Sequence, residues 1–466
     1  MANTSIPSGK STHQTVTDFI ELPIDQKHIK IGFTDQKISG RAGLLSFAGF
    51  LQWHGLGGWL KRWLPFRPTS NNALAPADLA LGFMVGILAG AQKLAQVAHL
   101  RADVMLAQLL NIKRIASQST YSRFFGRFNQ AGSNLAIFGS MWRWCLEQLP
   151  SRPGGYSLDL DSTRLLHEDG HQEGVKCGYT RLGNKPCLHP LLAVLEEAKL
   201  VVGFWLRPGN CACANNLLAF TTDLLARLPK FIRLRVIRAD SGFCDAAWLD
   251  LLEQRGQSYI VVAKLLKPLQ RLVRKETIWE ASEVPGTEVA EVWHREANWQ
   301  QERRVILIRR RLGSSNRAGG KQLVDCPGWG FQALVTNLPA RVRPIDVWRD
   351  YNQRAGCEEV IKQLDADFAL PKLCLKSFWS TEAALSLGVM SYNLCTLFQR
   401  HLGWRERVTA ATLRYRLFTT GGIISRQGGR ITIRLAVPEE QRGWWRAVLE
   451  KIISPIPNCN AVAAQP

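Results

Sequence analysis

Between residues 156 and 263 five short apolar runs stand at strand length, at 156–160, 188–195, 200–206, 234–239 and 258–263. Helical spacing fills two of the gaps, at about 214–228 and 245–255. Three strands, a helix, a strand, a helix and a strand describe a mixed α/β sheet, because parallel neighbours need a crossover and antiparallel ones only a turn.

The flanks have other textures. Residues 41–68 hold an apolar-aromatic helix pattern that ends in the basic, proline-stopped stretch Lys61-Arg62-Trp63-Leu64-Pro65-Phe66-Arg67-Pro68. Residues 76–148 read as helical, with Asp78 after Pro76 as the expected cap and Leu79, Phe83, Ile87, Leu88 and Leu94 at helical spacing. Further helices are expected near 102–110 and 119–130. The segment 117–127 begins with cap-type residues and carries Arg123 and Arg127 one turn apart, which suits a nucleic-acid-contacting helix and equally any exposed amphipathic one. Residues 275–340 are rich in β-type residues and charge. Helix returns at 346–366 and as an apolar run at 381–400. The end mixes Arg414-Tyr415-Arg416, a Gly-Gly turn, a strand at 430–435 and a helix with Trp444 and Trp445.

Charge narrows the partners. Lys and Arg number 59 against 38 Asp and Glu, a formal net charge of +21. Such an excess repels itself unless a polyanion shares it, and nucleic acid is the usual one. The 16 Trp can stack on bases but serve as core equally well. Eleven Cys without a CxxC pair argue against a zinc site or disulfide framework and for a reducing cytoplasm. No signal peptide is expected from the polar start, and the apolar runs fall short of a membrane span.

Three stretches could carry chemistry. In Leu158-Asp159-Leu160-Asp161-Ser162-Thr163 strand alternation sets Asp159 and Asp161 on one face, where they need solvent or a cation. In Val236-Ile237-Arg238-Ala239-Asp240-Ser241-Gly242-Phe243 an apolar strand ends in Asp240, either a ligand at a strand end or the cap of the next helix. On a helix, Tyr351, Arg354 and Glu358 share one face: Glu for metal with Arg and Tyr for phosphate, or an exposed face with an ion pair. A few carboxylates suffice for Mg2+, and a pair of such ions serves phosphodiester chemistry without His or Cys. His171 and His189 read as structural.

In order and context these acids resemble those of the DDE transposases of bacterial insertion sequences. Gly170-His171-Gln172-Glu173-Gly174, Gly178-Tyr179, His189-Pro190-Leu191-Leu192, Leu206-Arg207-Pro208-Gly209-Asn210, Asp367-Phe368-Ala369-Leu370 and Leu413-Arg414-Tyr415-Arg416-Leu417-Phe418 look like insertion-sequence family 1380 in particular, over about residues 75–435. The resemblance implies an α/β, ribonuclease H-like catalytic core interrupted by a β-rich insertion and preceded by an α-helical DNA-binding region. It implies Asp161, Asp240 and Glu358 as catalytic metal ligands, Asp161 being preferred to Asp159 because it precedes the Ser-Thr pair. Tyr351, Arg354 and Lys362 would position DNA phosphate; the family's Lys seven residues beyond the Glu is here Asp365. Among Trp279, Trp293, Trp299 and Trp329 one would receive a flipped base in relatives that excise through a hairpin, and Arg303, Arg304 and Arg309, Arg310 and Arg311 would supply charge beside the DNA.

The expected organisation is a polar arm (1–40), a helical DNA-binding region (41–150), the core (151–274 and 341–402), the insertion (275–340) and a basic C-terminal region (403–466). The expected activity is Mg2+-dependent cleavage at transposon ends and strand transfer into target DNA, with Mn2+ substituting and two ions per site. The partners would be double-stranded DNA, as terminal inverted repeats and target, and a second copy on paired ends, in the cytoplasm at the nucleoid and without membrane. The rival readings are a nuclease that does not join and a silent DNA-binding descendant.

Overall fold

The computed structural model describes residues 20–453 except 25–26, 69, 169, 181, 276–278, 313–325 and 327. Parts of the expected arm (1–19), insertion (313–325) and C-terminal region (454–466) therefore lie outside the described residues. The described remainder of the arm carries three strands: β1 (Ile20–Ile24) pairs with β2 (Lys27–Ile31), and β3 (Ile38–Ser39) follows an irregular stretch at 32–37.

Seven helices come next: α1 (Leu44–Trp53), α2 (Leu56–Trp63), α3 (Pro76–Leu88), α4 (Leu94–His99), α5 (Val104–Leu109), α6 (Gln118–Phe125) and α7 (Ala131–Glu147). The expected helix over 41–68 is split at Gly55, whose φ of +62° is left-handed. Asp78 does not cap α3. Pro76 takes the first turn, where its missing N–H costs nothing, and Ala75 is the cap position, leaving Asp78 to complement the helix dipole. Ser117 does cap α6, accepting from the Thr120 N–H. That helix ends at Phe125, so Arg123 and Arg127 do not share it; Arg127 donates to the Arg67 carbonyl at 2.8 Å and pins the proline-rich stretch.

The α/β part runs β4 (Tyr156–Ser162), β5 (Leu165–Leu166), β6 (Lys176–Thr180), β7 (Gly183–Leu188), β8 (Leu191–Leu195), β9 (Leu200–Trp205), α8 (Leu217–Arg227), β10 (Leu234–Ala239), α9 (Ala246–Gln254), β11 (Tyr259–Val262) and α10 (Lys267–Val273). Then come β12 (Glu280–Ala281), β13 (Thr287–His294), β14 (Arg303–Arg311) and β15 (Trp329–Thr336), and the helices α11 (Pro344–Asn352), α12 (Ala355–Asp367) and α13 (Phe378–His401). The chain closes with α14 (Ala410–Leu413), β16 (Gly422–Gln427), β17 (Arg430–Leu435) and α15 (Glu439–Ile453).

One nine-stranded sheet dominates, in the order β12-β13-β14-β15-β11-β10-β4-β8-β9. β4, β10 and β11 are parallel, and every other pairing is antiparallel. The β-rich segment thus extends the central sheet instead of forming its own, because β15 covers the edge that β11 would otherwise leave open. The small sheet β5-β7-β6 lies between β4 and β8, in a stretch too polar and glycine-rich to show as strands in the sequence. β16 pairs with β17 on one side and with β3 on the other, tying the N-terminal segment to the C-terminal one.

The apolar run at 381–400 becomes the central helix α13, in which every residue from Ser380 to Gln399 is buried. It covers the edge of β9: the Asn393 amide donates to the Val201 carbonyl at 2.7 Å and accepts from the Val201 N–H at 2.9 Å. Among the described residues no helix is long and apolar enough to cross a membrane.

A buried ion network ties β4, β10 and α11 together. Arg238 on β10 grips both oxygens of Asp159 on β4, at 2.7 and 2.9 Å, with both side chains fully buried. It also donates to the Asp350 carbonyl at 2.6 Å and to its carboxylate at 3.1 Å. Arg235 binds the same carboxylate and Ser157. Removing one member of a buried pair strands the other charge, which costs about 3–5 kcal/mol. Asp159→Ala is therefore expected to lower the unfolding free energy by about that amount in urea titration. Arg143→Ala, which removes an exposed helix pair with Glu147, is expected to change it by less than about 1 kcal/mol.

Candidate active site at the strand ends

The register of β4 against β10 creates the site. Asp159 lies opposite Arg238 and Leu160 opposite Ala239. One further step along both strands brings Asp161 beside Asp240, where parallel neighbours are about 4.8 Å apart. Alternation puts Asp159, Asp161, Arg238 and Asp240 on one face. The inner pair neutralises itself and the outer pair, both acidic, does not. Both oxygens of Asp159 are held by Arg238.

Asp161 is nearly buried. One oxygen meets Arg354 at 3.0 Å and the other accepts from the Ser162 N–H at 2.8 Å. Burial pushes its carboxyl up to about 6; Arg354 opposes the shift, and the charges of Asp240 and Glu358 add to it. The charges of the other two sequence candidates thus act on Asp161. Asp240 caps the short turn 241–243, accepting from the Gly242 N–H at 2.8 Å, so it ends a strand and also caps. Glu358 is exposed in the first turn of α12.

The expected single helix through Tyr351, Arg354 and Glu358 is instead two. α11 stops at Asn352 and α12 starts at Ala355, and between them the N–H groups of Gln353, Arg354, Gly356 and Cys357 bond three residues back. The tightened turn buries Arg354, which also donates to the Leu160 carbonyl at 2.9 Å, and its Nε has no partner among the described residues. Tyr351 is half-buried, its hydroxyl held above the ordinary range by burial and by the charges of Asp240, Asp161 and Asp159, against Arg354. Lys362 is exposed and its side chain makes no bond among the described residues. Asp365, where the resemblance leads one to expect Lys, faces inward: burial pushes its carboxyl up to about 6 and its Oδ1 lacks a partner among the described residues.

Among the described residues no three His, Cys, Asp or Glu side chains converge closely enough to hold a metal ion. Arg354 takes one oxygen of Asp161, the Gly242 N–H takes one of Asp240, and Glu358 points to solvent. The donor chemistry nevertheless fits a hard divalent cation: Asp161, Asp240 and Glu358 offer oxygen ligands only, and the charges of the other two act on Asp161.

Sequence reasoning passed over the frame behind the acids. His189 donates from Nδ1 to the Cys211 carbonyl at 2.9 Å and accepts at Nε2 from the Ser162 hydroxyl at 2.8 Å. Burial and the Arg207 charge push it down to about 3, so it is neutral. Arg207 is buried against the carbonyls of His189, Ala212, Cys213 and Asn215. The segments 189–192 and 206–210 therefore form one scaffold under Ser162. Likewise Arg414 meets Asp367, joining 413–418 to 367–370.

The arginines expected beside DNA are mostly spent. Arg303 pairs with Asp250 and Glu253, Arg304 with Glu291, and Arg309 with Glu288, all three buried; Arg310 and Arg311 are exposed. Alternating charge across β13–β14 gave each a partner from the same sheet or a neighbouring helix. Of the four Trp candidates Trp293 is 61% exposed, and the others pack against arginines or the core.

An acid cluster at the ends of parallel strands, framed by arginine, defines a candidate phosphodiester-processing site on an α/β scaffold. The sequence model of the family "Transposase DDE domain group 1" matches residues 22–454, and the chain belongs to that family. Among solved structures, a piggyBac transposase synaptic complex with hairpin DNA is similar at 12% identity and a TM-score of 0.44, over 83% of this chain and 82% of that one. No curated protein matches.

The raised carboxyls set a pH dependence. Between the ordinary carboxylate value and about 6, folded Asp161 and Asp365 hold protons that the unfolded chain has released. Stability of the metal-free protein is therefore expected to fall as pH rises from about 4 to about 6 and to level off above. Asp161→Asn and Asp365→Asn should each flatten part of that slope in melting temperatures measured across pH.

Proposed function

We propose that the chain is a cut-and-paste transposase of the kind found in bacterial insertion-sequence family 1380, acting through Asp161, Asp240 and Glu358. The observation that carries the reading is the adjacency of Asp161 and Asp240 at neighbouring strand ends, with the Glu358 charge acting on Asp161. The strand order β9-β8-β4-β10-β11, three antiparallel strands followed by two parallel ones, supports a ribonuclease H-like core. Family membership and the net charge of +21 support DNA as partner.

In this reading the three carboxylates would hold two Mg2+ ions, or Mn2+ in their place, which when bound would lower the barrier to attack on phosphorus and stabilise the leaving oxygen. Arg354 releases Asp161 to bind phosphate, with Tyr351 beside it and Lys362 farther along α12. Water attacks a strand at the transposon end and frees a 3′-hydroxyl. That hydroxyl attacks a second phosphodiester at the same site, so no enzyme-bound intermediate forms. Residues 41–150 and 403–466 recognise terminal inverted repeats, 151–274 with 341–402 form the core, and 275–340 is the insertion. Two copies act on paired ends, at the nucleoid.

Asp161→Asn, Asp240→Asn and Glu358→Gln are each expected to reduce Mg2+-dependent cleavage of a terminal-repeat duplex more than about 100-fold, with DNA affinity retained. Supplying a pre-cut end tests joining: strand-transfer products are expected, and cleavage without them would favour a nuclease that does not join. Full activity in Asp240→Asn would overturn the assignment.

A further inference from the structure

Two arginine-rich hairpins differ in one respect. In β13–β14 the arginines Arg304 and Arg309 face acids across the ladder, at Glu291 and Glu288. In β16–β17 there are none to face: from Arg407 to Pro438 the chain holds Arg407, Arg414, Arg416, Arg426, Arg430 and Arg434 and no Asp or Glu. The side chains of Arg426, Arg430 and Arg434 are exposed and make no hydrogen bond or ion pair among the described residues.

The register separates the hairpin's faces. Pairing of Ile424 with Ile433 and of Arg426 with Ile431 sets one face, on which Ile424 is buried against the body. The other face consists of Ile423, Ser425, Gln427, Arg430, Thr432 and Arg434, every one exposed. Gly428 and Gly429 make the tip, with φ of +55° and +78°, the turn that gives a two-residue hairpin its twist. A Cβ at either glycine would meet nothing within 4 Å, so the tip stands clear of the fold.

We infer that the outer face of β16–β17 is a DNA-binding ribbon that enters the major groove of duplex DNA. The choice of partner rests on the transposase reading; the surface itself rests on charge and register. A two-stranded ribbon fits the major groove of B-DNA. Arg430 and Arg434, four residues apart and thus about 13 Å apart along the strand, reach different phosphates. Gln427, Ser425 and Thr432 present hydrogen-bonding groups toward base edges.

The test measures binding of the full chain to a mixed-sequence 40-base-pair duplex by fluorescence anisotropy across a salt series, without divalent metal. For Arg430→Ala/Arg434→Ala the slope of log Kobs against log salt is expected to shrink by about 1.8, about 0.9 for each phosphate that the protein no longer neutralises. Arg430→Lys/Arg434→Lys should keep the slope. An unchanged melting temperature for the double alanine variant separates weakened DNA binding from a damaged fold. Wild-type affinity and slope in that variant would overturn the inference, as would loss only of self-association in sedimentation, which would assign the face to a second copy. Cleavage by the unaltered protein is scored separately: no cleavage together with a reduced slope would leave the ribbon standing and remove the transposase reading.

Discussion

One guanidinium sets the geometry on which the candidate site depends. Arg238 is fully buried and holds Asp159 on β4 and Asp350 on α11 while belonging to β10. Those three elements carry, or lead directly into, Asp161, Asp240 and the Tyr351–Glu358 turn. Water cannot compete for these bonds in the interior, so slippage of either strand by one residue would leave a buried charge unmatched. The same lock explains why two acids two residues apart have different fates: Asp159 is consumed by the lock, and Asp161 stands beyond it.

Much of this was legible because it follows from period and order. The strand-like runs at 156–160 and 234–239 each lead into an Asp, and the structure carries β4 through Asp161 to Ser162 and ends β10 at Ala239, just before Asp240. The helix at 381–400 was readable from its apolar length. What the sequence hid depends on contacts distant along the chain. Nothing local tells that Arg238 turns inward to Asp159 or that His189 meets Ser162. Nor does the helical spacing of Tyr351, Arg354 and Glu358 reveal the tightened turn at 353–357, which arises where Arg354 is drawn to Asp161 and the Leu160 carbonyl.

Charge shows the same limit. The excess of basic residues is visible as a total, but a total does not say which arginines are occupied. Arg303, Arg304 and Arg309 sit in the most basic run of the chain and yet contribute to the fold, stacked on Trp or chelated by Glu. The arginines of β16–β17 are fewer and remain unmatched. Burial and pairing, more than local density, decide which positive charge reaches a polyanion.

The way the large sheet ends has a further consequence. At one end Asn393 from α13 fills the hydrogen-bonding positions of Val201, and at the other the sheet tapers to the two-residue strand β12. Edge partners of this kind shorten the run of open backbone groups that another chain could extend. A protein with nine strands in register would otherwise be a template for fibrous growth. Shortening those runs is one way a sheet of this size guards against edge-to-edge pairing with other chains.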